Sequence, residues 1–203
     1  IDIKIAPYDT SIVFATSLVK GLVKIKNGTI CNIFDNTNSP LQKFELDTQR
    51  LATMSLDFDI NQHLWLSNYS SSKPLLVLTK DEKWKSYSIP FNGIPYIYNV
   101  FCDSRGILWI IYNREQSLIL FDNKNTPLDA SDDQWIELNT NLSAENGPFD
   151  YIYDIAEDHN GKIWIGTNAG LKVYHSPAQL MSNANIVPSP IAVGRNPSRS
   201  FSA

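Results

Sequence analysis

One motif with fixed internal spacing occurs three times in this chain, and that repetition limits the possible folds more than any other feature. The segments LDFDINQHLWLSNY (56–69), VFCDSRGILWIIYN (100–113) and IAEDHNGKIWIGTN (155–168) align on their tryptophans. In each, an Asp stands six residues before the Trp: Asp59 before Trp65, Asp103 before Trp109, Asp158 before Trp164. Gln62, Gly106 and Gly161 stand three residues before it, and an aliphatic residue immediately precedes every Trp. A looser fourth copy, IAPYDTSIVFATSLVKGLVKI (5–25), places Val13 where the others have Trp. Self-similarity at such a period marks a repeat architecture, in which stacked units bury together what none can bury alone.

The units read as strands. Their apolar runs are short, rich in Ile, Val, Leu, Tyr and Trp, and broken by Asn, Asp, Gly and Ser. In the last copy YIYDIAE, KIWIGT and LKVYH form three successive strands, and a fourth strand with a lone Trp follows the middle copies as KWKSYSI (83–89) and QWIELN (134–139). Only PAQLMSNAN (177–185) has room for a helical turn. Four strands in roughly 40–45 residues is the period of a β-propeller blade. The expected fold is all-β, a β-propeller of four-stranded blades, about four of them in this chain. The expected blades are 1–50, 51–95, 96–148 and 149–203. The ends show no closing device and propellers close at about 4–8 blades, so the expectation is a section of a larger ring. Exposed blade edges would invite pairing with another chain.

Composition removes several function classes. With 203 residues, 43% hydrophobic, there is enough apolar material for a core. A net charge of -4 argues against phosphate-backbone binding, because no basic excess exists to release counterions. No apolar run approaches the roughly 18 residues of a membrane-spanning helix. The chain opens at Ile1 without a Met, which reads as a processed or truncated piece whose signal peptide is already gone. Cys31 and Cys102 lack CxxC spacing and a nearby His partner. They read as two small buried apolar residues, with a single disulfide left open.

Glu157, Asp158 and His159 look at first like a metal or acid–base cluster. Neighbours in a strand alternate faces, however, and the equivalent positions are Phe58-Asp59-Ile60 and Cys102-Asp103-Ser104, so only the Asp persists. A hairpin device explains all three copies: the Asp accepts backbone N–H groups across the turn, and Gly or Asn supplies a positive φ. His63, His159 and His175 share no spacing, and no GxSxG elbow supports a triad. Asp122, Asp129, Asp132 and Asp133 crowd one loop but lack the ligand order and central Gly of an EF-hand, so a solvated loop is expected. No metal, cofactor or catalytic residue is therefore expected.

The stretch I-A-E-D-H-N-G-K-I-W-I-G-T-N-A-G-L at 155–171 resembles the two-component-regulator propeller repeat of Bacteroidetes sensor domains; the other copies fit it more loosely. NIFDNTNSPL (32–41), the run from 56 to 89, and FDNKNTPLDASDDQWIELN (121–139) are similar to PorZ-type propeller proteins of type IX secretion. The resemblance implies a cell-surface or periplasmic propeller without enzymatic chemistry. On the PorZ side it implies a role with the machinery that attaches anionic lipopolysaccharide to secreted cargo. On the sensor side it implies an oligosaccharide-recognising domain of a hybrid histidine kinase. A third alternative is a propeller lyase of the streptogramin type, which would need a convergent His–acid–metal site.

Propellers bind ligands on the face where the loops between second and third strands and between blades gather about the axis. Here those loops carry Asn68, Tyr69, Asn113, Arg114 and Asn168, and the inter-blade connections add Asn92, Tyr96, Phe149 and Asp150. Aromatic rings beside amide and carboxylate groups suit carbohydrate, since rings stack on sugars while polar groups fix hydroxyls. The expected partners are glycan or lipopolysaccharide together with secretion-system or sensor-kinase domains.

Overall fold

The computed structural model describes residues 1–44, 47, 49–90, 96–112, 117–138 and 151–191. It contains four antiparallel sheets, each of four strands in chain order. The first sheet holds β1 (Ile3–Ile5), β2 (Ile12–Ser17), β3 (Gly21–Lys26) and β4 (Thr29–Phe34). The second holds β5 (Thr53–Phe58), β6 (Leu64–Asn68), β7 (Leu75–Leu78) and β8 (Trp84–Tyr87). The third holds β9 (Ile97–Cys102), β10 (Leu108–Tyr112), β11 (Ser117–Asp122) and β12 (Gln134–Leu138). The fourth holds β13 (Ile152–Glu157), β14 (Ile163–Thr167), β15 (Gly170–Tyr174) and β16 (Ser189–Pro190), with a single 3-10 turn at Pro177–Gln179 between the last two. Each sheet is one propeller blade. The first strands are innermost: β5 packs on β1 and β9, and β9 also meets β13.

The core is divided into three layers, one between each pair of successive blades. Phe14, Leu22 and Phe34 of the first blade meet Leu56, Leu64, Leu66 and Leu76 of the second. Trp65, Val77 and Tyr87 then meet Val100, Leu108, Ile110 and Phe121. Trp109, Ile111 and Leu120 meet Ile155, Ile163, Ile165 and Tyr174. Alternation along the strands produces this arrangement, because odd and even positions of each blade point to opposite neighbours. Among the described residues no core cluster joins the first blade to the fourth.

The Asp–Trp spacing is explained by one turn built three times. Oδ1 of Asp59 accepts the backbone N–H groups of Asn61 and His63, while Oδ2 accepts the indole N–H of Trp65 at 2.9 Å. Asp103 does the same with Arg105, Ile107 and Trp109, and Asp158 with Asn160, Lys162 and Trp164, both indole bonds again at 2.9 Å. The residue three before each Trp has positive φ, at 68° for Gln62, 86° for Gly106 and 75° for Gly161. Glycine is the residue for which that conformation is unstrained.

In the first blade the register corrects the sequence alignment. Trp65 lies opposite Asp57 and Phe14 opposite Lys4, with Phe14 facing the next blade as Trp65 does. Phe14, not Val13, therefore takes the Trp place, because the β1–β2 turn is longer than its counterparts. The Asp position falls on Ala6, so the carboxylate is missing where no indole N–H needs it. The cysteines are also corrected: both are free, Cys31 is exposed and Cys102 is only half-buried. Burial, reinforced by Asp59, Asp57 and Asp103, pushes the Cys102 thiol well above its ordinary range, so it stays protonated.

Candidate binding face

Residues at matching register on the four innermost strands line a groove of about 280 Å³. Asp2, Ser55, Asn99 and Asp154 occupy equivalent positions, one from each blade, and Lys4, Asp57 and Tyr98 stand beside them. Several of these groups tie neighbouring blades together through hydrogen bonds and an ion pair. Oδ2 of Asp2 accepts Leu56 N–H at 3.1 Å and the Ser55 hydroxyl at 3.3 Å, and the Ser55 hydroxyl oxygen accepts Val100 N–H at 3.1 Å. Asp57 pairs with Lys4 at 3.0 Å and accepts Cys102 N–H at 2.9 Å. The Asn99 amide reaches Asp154 at 3.5 Å. No histidine lines the groove.

At one mouth of the groove lies a shelf of rings. Tyr69 stacks on Tyr96 at 4.8 Å and on Phe44 at 6.1 Å, and Tyr98 meets Tyr69 edge-on at 5.8 Å. The hydroxyls of Tyr69 and Tyr98 are 3.5 Å apart. Leu18, Arg50, Ala52 and Met54 join Phe44 and Tyr69 around a shallow recess, and Met54 also lines the groove. Shelf and groove are therefore one continuous surface.

Of the residues expected to take ligand, Tyr69 and Tyr96 come together here. Asn68 is fully buried beneath them. Its amide donates to the carbonyls of Gln42 at 2.9 Å and Ala52 at 3.3 Å and accepts Gln42 N–H at 2.6 Å, so it braces the face from below. Asn168 is exposed on the fourth blade and accepts Tyr151 N–H at 2.9 Å. Asn92, Asn113, Arg114, Phe149 and Asp150 lie outside the described residues. Phe44, Tyr98 and the axial set Asp2, Ser55, Asn99 and Asp154 were not singled out from sequence. The axial residues differ in type between copies, and only the register places them together.

The acidic loop is pinned by its own hydrogen bonds. Asp129 accepts Ser131 N–H at 2.9 Å, Asp132 accepts the Thr126 hydroxyl at 2.9 Å, and the Tyr87 hydroxyl donates to the Pro127 carbonyl at 2.7 Å. Burial raises the Asp133 carboxyl above its usual range. The histidines sit elsewhere: Nδ1 of His63 accepts Lys80 N–H at 3.2 Å, and His159 and His175 are exposed.

Residues 146–169 match the model of the two-component regulator propeller. No curated protein matches the sequence. Among solved structures, PorZ of Porphyromonas gingivalis, described as an essential surface component of the type-IX secretion system, is 21% identical with a TM-score of 0.79, over 94% of this chain and 26% of that one. The extracellular domain of a protein described as a hybrid two-component system of B. thetaiotaomicron is 19% identical with a TM-score of 0.59, over 84% of this chain and 21% of that one. A streptogramin B lyase is 16% identical with a TM-score of 0.57, over 85% of this chain and 53% of that one. The chain thus spans about a quarter of the PorZ structure it resembles. These likenesses establish the fold, and the chain is an all-β propeller segment that carries a two-component-regulator propeller repeat at residues 146–169.

Proposed function

We propose that this chain is a non-catalytic binding module of the cell envelope, PorZ-like in role, that takes glycan or lipopolysaccharide on its axial face and docks secretion-system partners. The observation that carries this is the shelf of Phe44, Tyr69, Tyr96 and Tyr98, which opens directly onto a groove lined by carboxylate, amide and hydroxyl groups. Ring faces take the C–H surface of a sugar, and polar groups at fixed positions select among its hydroxyls. The fold shared with PorZ supports a place at the cell surface or in the periplasm.

A second reading is the oligosaccharide-sensing domain of a hybrid two-component histidine kinase. The match at 146–169 and the fold shared with the B. thetaiotaomicron extracellular domain favour it. Both readings use the same face. The lyase alternative has less to rest on, since none of the three histidines lines the groove.

The test is a binding screen of the chain against lipopolysaccharides and neutral and anionic oligosaccharides at up to about millimolar concentration, the weak end of specific affinity. Saccharide binding supports the ligand proposal; if nothing binds, only the protein-docking role remains.

A further inference from the structure

Four Asn-Gly pairs occur in this chain, and two of them, Asn27-Gly28 and Asn160-Gly161, stand in turns of known geometry. Asn92-Gly93 and Asn146-Gly147 lie outside the described residues. In an Asn-Gly pair the side-chain amide is open to attack by the next backbone nitrogen, because glycine puts no Cβ in the way.

The two turns share a dipeptide but not their constraints. Gly161 N–H donates to the Asp158 carbonyl at 2.9 Å, and Oδ1 of Asp158 accepts the N–H groups of Asn160 and Lys162 on either side. The nitrogen that would have to attack is held there, in the same turn that fixes Trp164. Gly28 has no such hold. Asn27 and Gly28 are the two-residue connection between β3 and β4, closed by the Lys26–Thr29 pair, with φ of 51° and 76°. Positive φ at both central residues is the tight turn that Asn-Gly favours. Asn27 N–H donates to the Ser11 carbonyl at 2.9 Å, but neither the Asn27 amide nor Gly28 N–H has a partner among the described residues. Both residues are exposed, and a Cβ at Gly28 would meet nothing within 4 Å.

This exposure does not depend on what lies beside the first blade. Lys24 opposite Phe14 matches Val77 opposite Trp65, so residues 80–82 of the second blade are the counterpart of the Asn27-Gly28 turn. They are exposed throughout, although the first blade reaches them through the Lys24–Glu82 ion pair at 2.6 Å.

We propose that Asn27 is a site of spontaneous covalent modification, deamidating through a succinimide while Asn160 stays intact. The Gly28 nitrogen bonds to Cγ of Asn27 and gives up its proton. The Cγ–Nδ2 bond breaks, and that nitrogen leaves with the proton as ammonia. Water, the only co-reactant, then opens the ring at either carbonyl and leaves aspartate or isoaspartate at position 27. Isoaspartate routes the chain through the side-chain carbon, so the turn gains a backbone atom and a carboxylate. Turn length sets hairpin register, and the Lys26–Thr29 closure is the first pairing to change.

Peptide mapping by mass spectrometry tests this on the full chain held for several weeks at mildly alkaline pH and body temperature, with isoaspartate detected by an isoaspartyl methyltransferase. The peptide that begins at Asn27 should gain one mass unit and accept methyl groups. The peptide that holds Asn160 should convert at least tenfold more slowly, because the Gly161 N–H bond must open first. In guanidinium, where neither turn exists, the two sites should convert at similar rates. An unchanged Asn27 in the folded chain overturns the proposal, as does an Asn160 that converts as fast. So does a difference that persists in guanidinium, since it would come from neighbouring sequence and not from the turns.

Discussion

The indole N–H of Trp109 donates to Oδ2 of Asp103 at 2.9 Å, and both side chains are shut away from water, at 0% and 1% exposure. The same carboxylate holds its turn through Arg105 N–H and Ile107 N–H and is paired with the Arg105 guanidinium. One side chain thus closes a hairpin and fixes the ring that fills the next interface. Replacing Asp103 with Ala strands the two backbone N–H groups and the indole N–H and unpairs the Arg105 guanidinium, and the expected loss is about 3 kcal/mol. The first blade, where Ala6 and Phe14 occupy the two places, predicts that the losses are not additive. In a double-mutant cycle by urea denaturation, Asp103→Ala with Trp109→Phe should cost about 1 kcal/mol less than the sum of the singles. Additive losses would show that the pair does not act as a unit.

Backbone conformation gives a pair of opposite expectations. Gly21 has φ +81°, and a Cβ there would sit 2.4 Å from the Phe34 carbonyl oxygen and 2.8 Å from Leu51 Cδ2. Gly21→Ala should therefore destabilise by about 3 kcal/mol or more, since backbone and core must both shift. Gln62 bears a positive φ that Gly106 and Gly161 adopt without strain. Gln62→Gly should raise stability by about 1 kcal/mol. Both are read from thermal or urea midpoints, and a stabilising Gly21→Ala would refute the close approach.

The fourth blade should respond to acid through Asp158. The Trp164 indole N–H, then Lys162 N–H and Asn160 N–H, hold its carboxyl below the ordinary carboxylate range. Its contribution is whole above the unfolded-state value near pH 4 and is lost as pH falls through the lower folded-state value. Between about pH 6 and about pH 2.5 the wild type should lose more of its Tm than Asp158→Asn, which cannot titrate. Parallel Tm profiles would contradict this.

Much of this architecture is legible in the sequence, for a physical reason. The Asp, the positive-φ residue and the Trp act through local spacing, so their offsets survive in copies that share little else. That is why IAEDHNGKIWIGT reads as a turn and a packing device; its Glu157 and His159 have no counterparts in the other copies. The first blade was harder, because its β1–β2 turn is longer, and only strand pairing moves the ring position from Val13 to Phe14. The candidate face was the least legible part. Tyr69 and Tyr96 could be placed from their loops, but Phe44 joins them across the chain. Asp2, Ser55, Asn99 and Asp154 share a register position without sharing chemistry, so no motif announces them. Asn68 shows the converse: a polar loop residue by sequence, it spends its amide on Gln42 and Ala52.

If the ring shelf carries saccharide, its removal should affect binding without affecting folding. Tyr96 is half-buried and stacked on one side by Tyr69, so Tyr96→Ala removes a sugar-facing ring while the three inter-blade layers stay intact. The most direct measurement is calorimetric titration of wild type and Tyr96→Ala with one purified lipopolysaccharide-derived polysaccharide, with Tm recorded for both. The wild type should bind, and the variant should bind at least tenfold more weakly at a Tm within a few degrees, a stacked ring being worth about 1–1.5 kcal/mol. Equal affinity in the two proteins, or no heat of binding in either, would contradict it.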